Sequence, residues 1–458
     1  MHTSRPNAVI DRLLQGVFLA GLVTLALLLG TAIVEFRWFP YPQYLEKAYQ
    51  YLQAKQEQQT TLSSLAQSKL WTPARFDEVG VVEHEPSKAY VGYTFYTSSH
   101  LSGALLIDMQ GTVVHEWKLP FHSVWPVAAH IRDASPVPEE FIYWRRAHLY
   151  PNGDVVAVYI GSGDTPWGYG VVKVDKDSNL LWKYAGCAHH DLYVHDDETI
   201  WVLLHGFRES AEHPVAGNPQ IGPTYLEDYV VQLSPEGKEL RRVSVLKAVS
   251  ESPFQGMLHS VPHEAWDPLH TNTVKVLKKD FASHHEFAEP GQVLVSFRTL
   301  SAIGLIDLDK EQMVWAQRGF WIAQHDPDPL PDGRILIYDN RGHAGSGGCS
   351  RILEFEPVTH AASWTYTGVE QQPFESKIRG AQQRLPNGNV LITESVGGRI
   401  FEVSREKEIV WDYHTPERLT EGGEEFTAVV CGARRFSGDE LEFLSDRNNT
   451  SAGKEGDQ

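Results

Sequence analysis

The stretch AQHDPDPLPDGRILIYDN, residues 323–340, has two halves that fit together poorly. Pro-Asp-Gly makes a tight turn and RILIYD is a strand, yet the strand before that turn opens on Gln324, His325 and Asp326, where apolar residues are expected. His270 and Asn272 take the same place in WDPLHTNTVKVL, and Gln382 and Gln383 do so in GAQQRLPNGNVLIT. Arg146, His148, His189 and His190 open two further strands. Beyond strand ends stand His205, Arg208, Arg298 in SFRTL, Arg341 and His343 in DNRGHAGSGG, and Glu394. Imidazole donates, accepts or attacks, and a guanidinium fork matches a tetrahedral oxyanion. A rim of such groups would grip a small oxyanion and stabilise charge developing on it. One well-aimed donor in such a site is worth about 100–1000-fold in rate. A single histidine at a strand start is ordinarily structural; it is the grouping that points to a site.

Other chemistries fit less well. HTNT and QHDP lack the i, i+4 histidine pairing of helical zinc proteases, so no metal is expected. In DPDPLPDG, prolines interrupt the calcium-loop pattern and the distal Glu is missing. There is no GxxxxGK[ST] phosphate loop and no GxSxG elbow. GSGDTPWGYG and GHAGSGG read as loops that leave backbone room. No cofactor is implied. The three cysteines, Cys187, Cys349 and Cys431, show no CxxC, and read as unrelated buried thiols or as one disulfide with a free thiol. A net charge of −19 argues against nucleic acid as a partner.

The elements that must position the rim form a repeat of about 50–60 residues with two half-units. One is turn-then-strand: 148–159, 189–203, 285–297, 325–338, 381–393 and 433–444. The other is strand–turn–strand, often ending in Trp: 103–117, 170–184, 229–243, 302–316, 351–366 and 399–413. A pair of half-units makes four antiparallel strands, one propeller blade, so six pairs predict an all-β, six-bladed β-propeller over 76–445. The chain opens on one half-unit and closes on the other, so its two ends should share a blade. Strand starts and the loops after second strands would then meet at one mouth of the central channel.

Leu13 to Val34 is a run of 22 uncharged residues, about 33 Å as a helix against a hydrocarbon core of about 30 Å. It reads as an uncleaved transmembrane anchor, since signal-peptide apolar regions are usually shorter. Arg5 and Arg12 precede it, placing residues 1–12 in the cytoplasm and the bulk outside, in a bacterium in the periplasm at the inner membrane. FRWFPYPQ is an aromatic belt, and Tyr44 to Trp71 a helical stalk within 35–75, a candidate oligomerisation element. Residues 446–458 read as a disordered tail.

WDPLHTNTVKVL, SFRTLSAIGLID, QHDPDPLPDGRILIYDN and GAQQRLPNGNVLITES, with GRIFEVSREKEIVWDY after it, resemble the bacterial arylsulfate sulfotransferase family over roughly residues 90 to 444. The resemblance implies a six-bladed propeller outside the cytoplasm. It also implies sulfuryl transfer from an aryl sulfate to a phenol through a transiently sulfated histidine, without a nucleotide donor. His270 and His325 resemble the family's active-site histidines, and Arg341, or else Arg351, its sulfate-holding arginine. That makes His270, His325 and Arg341 the candidate catalytic set, with Asn272, Arg298, His343 and Gln382 as candidate substrate-binding residues. The family's nucleophilic histidine should lie in GAQQRL, which has Gln382 and Gln383 instead; His343 and His414 are the substitutes considered. The expected partners are a small aryl sulfate and a phenol, and the alternative is a non-catalytic propeller binding an anionic ligand or a protein.

Overall fold

The computed structural model describes residues 7–36, 38, 42–210, 215, 218–263 and 265–445. The expected tail at 446–458, Arg5 and part of the aromatic belt lie outside the described residues. The chain divides into two compact units, Met1–Thr60 and Thr61–Gln458. In the first, α1 (Asn7–Glu35) carries the apolar segment Arg12–Glu35, long and apolar enough to cross a membrane. Its length and composition fit an anchor and a signal sequence alike. The second helix, α2 (Pro42–Leu62), ends well before Trp71, the expected end of the stalk. Serine side chains explain the stop: Ser64 Oγ accepts from the Gln67 amide and Ser68 Oγ bonds the Leu65 carbonyl, competing with helical bonding.

The second unit is all-β. Of six four-strand sets, five pair their strands in sequence order and the sixth takes its first strand from near the end of the sequence; a seventh, three-stranded sheet joins Trp71–Pro73, Glu424–Ala428 and Arg418–Glu421. The first strands of the six are β1 (Ile142–Leu149), β2 (Ala188–Val194), β3 (Thr271–Val276), β4 (His325–Pro329), β5 (Ala381–Arg384) and β6 (Val430–Phe436). Each lies against the next, and β6 lies against both β5 and β1.

Second strands such as Val155–Gly161, Val293–Phe297, Ile335–Asp339 and Val390–Glu394 are buried along their whole length. That burial on both faces is why they read as unbroken apolar runs. Outermost strands alternate instead, as in Val113–Lys118. The Pro-Asn-Gly and Pro-Asp-Gly turns place Gly153, Gly333 and Gly388 at φ of 88°, 83° and 90°, the left-handed region that glycine enters at least cost. The recurring tryptophans fasten sheet to sheet. Trp117 Nε1 donates to the Gly153 carbonyl at 2.9 Å, Trp182 to Pro235 at 2.9 Å, Trp364 to Arg405 at 3.0 Å and Trp411 to Met109 at 3.0 Å.

Two expected half-units differ. The 285–297 unit begins earlier, at β3, and a loop with a short helix, Lys279–Ala282, precedes Val293–Phe297. The 433–444 unit supplies one strand, not two. β6 pairs with Tyr93–Ser98 from near the start of the repeat, so the chain ends do share a sheet, divided one strand to three. Gly80–His84 adds a fifth strand to the β5 sheet.

Candidate active site

Five of the six first strands carry a register irregularity where the polar residues fall: between Trp144 and Arg146, His189 and Leu192, Thr271 and Thr273, His325 and Asp328, and Val430 and Gly432. A bulge inserts a residue and re-aims its side chain. His190, His270 and Asp326 there have φ of 55°, 50° and 49°. This is the local reason a strand can open on Gln324, His325 and Asp326. Gln324 is structural: its Nε2 donates to Ser296 Oγ at 3.0 Å and to the Phe297 and Ala302 carbonyls.

Two His-Asp dipeptides lie at such bulges: His190-Asp191 within one, and His325-Asp326 across the edge of another, with His325 still paired to Tyr338. Their carboxylates share one cation: Arg146 donates to Asp191 Oδ1 and to Asp326 Oδ1, each at 2.7 Å. Lys275 Nζ lies 3.0 Å from Asp326 and 3.4 Å from Asp328. Asp191 also accepts from the Val274 amide at 3.1 Å. Burial opposes charge on Asp326, Arg146 and Lys275, but the opposite charges win: Asp326 is held well below the usual carboxylate range, and Arg146 and Lys275 are raised.

Arg146, Asp191 and Asp326 of this neutralised layer line one recess together with Arg145, His190, Asn272 and His325. Arg145 has one side-chain bond, to the Cys431 carbonyl at 2.7 Å, and no carboxylate partner among the described residues. His325 has a determined tautomer. Asn340 Nδ2 donates to the Ser376 and Arg379 carbonyls, so its Oδ1 is an acceptor, and His325 Nδ1 must donate to it at 2.7 Å. His325 Nε2 is therefore a lone pair in the neutral ring. Burial, then its bond to Asn340 and the charges of Arg145, Arg298 and His270, set its pKa at about 3, so it is neutral near pH 7.

His270 Nδ1 bonds the Asp267 carboxylate, and its ring stands 5.0 Å from that of His190. Arg298 is half-buried, and burial and then the charge of Arg341 lower its pKa. Neither arginine has a carboxylate salt bridge among the described residues. Arg351 is paired, donating to Asp339 at 2.7 Å and to the Phe320 carbonyl at 2.6 Å, so Arg341 is the free one of the two considered. Trp167 forms an aromatic wall, with ring centroids 5.8 Å from both His190 and His270. Gly168 permits this: a Cβ there would meet Cys187 and Ala188 backbone at 2.5 Å.

The structure thus groups His270, His325 and Arg298, with Arg341 beside Arg298. Asn272 lines the recess, but its amide donates to the Gln324 carbonyl at 2.8 Å. Gln382 spends its amide on the Asp326 and Leu336 carbonyls. His343 is half-buried in the loop after Ile335–Asp339, with no side-chain hydrogen bond to the recess residues among the described residues. His414 lies on the fourth strand of the β5 sheet, bonded to the Glu78 carbonyl and stacked on Phe76, far along that sheet from its first strand. His148 sits at the turn end of β1, packed edge-on to Tyr150, rather than at the strand start. Arg145 and Trp167 emerge only in three dimensions. In sequence, Arg145 stands next to Arg146 with nothing to show which of them the bulge spends on the ion pairs.

His189, His205 and Asp228 are buried with donor atoms within 4.8 Å of one another, the one such metal-like group among the described residues. Their geometry does not suit an ion. The two rings are stacked, 4.3 Å apart with planes 20° from parallel, so their in-plane lone pairs do not converge at bonding distance. His205 Nε2 already accepts from the Gly168 amide at 3.1 Å, and His189 Nδ1 lies 2.7 Å from His190 Nδ1. The thiols Cys187, Cys349 and Cys431 are free.

Among curated proteins none matches this sequence. Similar solved structures include a protein of unknown function from Bacteroides caccae, 13% identical over 71% of this chain and 94% of that one, TM-score 0.45. A streptogramin B lyase is 12% identical over 77% and 87%, TM-score 0.37, and the WD40 β-propeller domain of Doa1 is 10% identical over 79% and 95%, TM-score 0.37. A family model described as arylsulfotransferase (ASST) matches residues 146–416, a span that opens at the shared Arg146 and takes in both His-Asp dipeptides, His270, Arg298 and Arg341. That is more than half of the sequence, and the chain belongs to the arylsulfotransferase family.

Proposed function

We propose that the six sheets are blades of one propeller, with β1 to β6 around its channel, and that the recess is a sulfuryl-transfer site. The donor is an aryl sulfate and the acceptor a phenol or other hydroxyl. The observation that carries this is the grouping of imidazoles and carboxylate-free arginines in a chain of net charge −19. The sulfate oxygens sit between Arg298, Arg341 and Arg145, and the aryl ring packs on Trp167. His270, oriented by Asp267, gives the leaving oxygen its proton, and the lone pair of His325 accepts the hydroxyl of the acceptor. His270, His325 and Arg341 are the catalytic set in this reading, with Arg298 binding donor; Asn272 and Gln382 hold the backbone. The apolar helix α1 is an anchor, with Arg12 on its cytoplasmic side and the propeller outside.

The test uses the full chain in detergent with a chromogenic aryl sulfate and a phenol. Transfer that falls by at least about 100-fold in both His270→Ala and His325→Ala, each folded by melting curve, is expected. No transfer from several donors by the wild-type protein would overturn the reading. A second reading, an anion-binding propeller without turnover, is favoured by one observation: Gln382 and Gln383 stand where the family resemblance calls for a nucleophile.

A further inference from the structure

Resting on the sulfuryl-transfer reading, we infer that the covalent nucleophile of this chain is His190, set up by the buried pair His189 and Asp228. His190 and His325 are each the histidine of a His-Asp dipeptide at a first-strand bulge, His190 within it and His325 paired just before it. Both line the recess, and both dipeptide carboxylates bond Arg146.

The tautomer follows from the neighbours. Only one hydrogen fits between His189 Nδ1 and His190 Nδ1, 2.7 Å apart. Asp228 Oδ1 lies 3.4 Å from His189 Nε2, off the line of a hydrogen bond, so its pull is electrostatic and favours a proton on that nitrogen. Asp228 is itself fixed by the Thr271 amide at 2.8 Å. With Nε2 protonated, neutral His189 accepts at Nδ1. The shared hydrogen is then His190's, and His190 Nε2 is left as a lone pair with no protein partner among the described residues. Burial and the surrounding cations keep the ring neutral.

In the first step Nε2 attacks sulfur in line, the N–S bond forms, and the S–O(aryl) bond breaks with its electron pair on the phenolate. His270 protonates that oxygen. The sulfated ring passes its Nδ1 proton to His189, whose new charge faces the Asp228 carboxylate. In the second step the acceptor oxygen attacks sulfur, the N–S pair returns to Nε2, His189 returns its proton to Nδ1, and the acceptor hydroxyl's proton passes through the lone pair of His325 to restore His270. His325 offers no such sink, because its Nδ1–H meets the neutral amide of Asn340.

Rapid mixing of the full chain with para-nitrophenyl sulfate, without acceptor, gives the test. The expected result is a stoichiometric burst of nitrophenolate and one sulfuryl group on the His190 peptide, mapped by mass spectrometry after digestion at neutral pH. His190→Gln, shown folded by its melting curve, should lose the burst by roughly 1000-fold or more and carry no label. Asp228→Asn should slow the burst roughly 100-fold and change its pH profile, which a purely structural defect would not do. A retained burst in His190→Gln, a label on the His270, His325 or His343 peptide, or turnover with no covalent label would each overturn the proposal. A wild-type protein that releases no nitrophenolate from any donor would instead fail the sulfotransferase reading, and the proposal with it.

Discussion

Replacing Arg146 with Met removes the cation shared by the two His-Asp dipeptides. Each guanidinium bond, from half-buried Arg146 to the buried Asp191 and Asp326, is 2.7 Å long. Charge-assisted bonds contribute about 1.5–3 kcal/mol each, and breaking a buried ion pair from one side costs about 3–5 kcal/mol. The two figures agree, so Arg146→Met should lower unfolding free energy by about 3–5 kcal/mol. The loss should fall mostly on Asp191. Asp326 keeps Lys275 at 3.0 Å, whereas the hydrogen bond left to Asp191 among the described residues is from the Val274 amide. Adding Asp191→Asn removes the stranded charge while keeping an oxygen for that amide, and should recover about 2 kcal/mol or more of the loss. Urea unfolding of the four proteins in this cycle gives both numbers. A cost below about 1 kcal/mol for Arg146→Met, or no recovery in the double variant, would refute the view that this guanidinium holds the two dipeptides in place.

Three further outcomes follow from the same geometry. Trp117→Phe should strand the buried Gly153 carbonyl at about 1–3 kcal/mol and open space beside Phe95, while Trp182→Phe, at a half-exposed ring, should cost less; melting temperatures of the two variants check the order. His148, pushed down to about 3 by burial and then by Arg434 and Lys173, and His100, pushed down to about 4 by burial and then by Lys118, are neutral when folded. Below about pH 6.5 the unfolded chain binds protons the folded chain refuses, so stability should be full above that pH and fall towards pH 4, with a flatter profile in His148→Leu. Trp167→Ala should raise KM for aryl sulfates far more than it changes binding of inorganic sulfate, measured by competition.

Much of the architecture was legible because propeller-type repeats write themselves in period and in turn chemistry. The Pro-Asn-Gly and Pro-Asp-Gly turns and the Trp-ending strands mark the four-strand sets, and the tryptophans recur because each reaches a neighbouring sheet's turn. Two features hid from that reading. Tyr93–Ser98 pairs with a strand more than three hundred residues later, a partner no local pattern names. The β3 sheet takes an excursion between its first two strands that breaks the turn spacing.

The site was legible as a set of residues but not as a set of roles. Gln324, Asn272 and Gln382 carry the same polar signal at strand starts as His325, yet the three amides bind backbone across to neighbouring strands. What separates tie from reactant is the strand irregularity: there both residues of each dipeptide reach the recess, the carboxylate bonding Arg146 and the imidazole left to face it. Sequence alone sees His-Asp twice and cannot weigh the repetition without knowing that both dipeptides reach the same guanidinium. Once that is known, a missing histidine in the β5 strand no longer implies a missing nucleophile. Five of the six first strands carry such irregularities, and in the proposed transfer the role needs only a neutral imidazole, a proton sink behind it and the sulfate in front. Among the described residues His190 is the imidazole of the recess with a second imidazole and a carboxylate behind it.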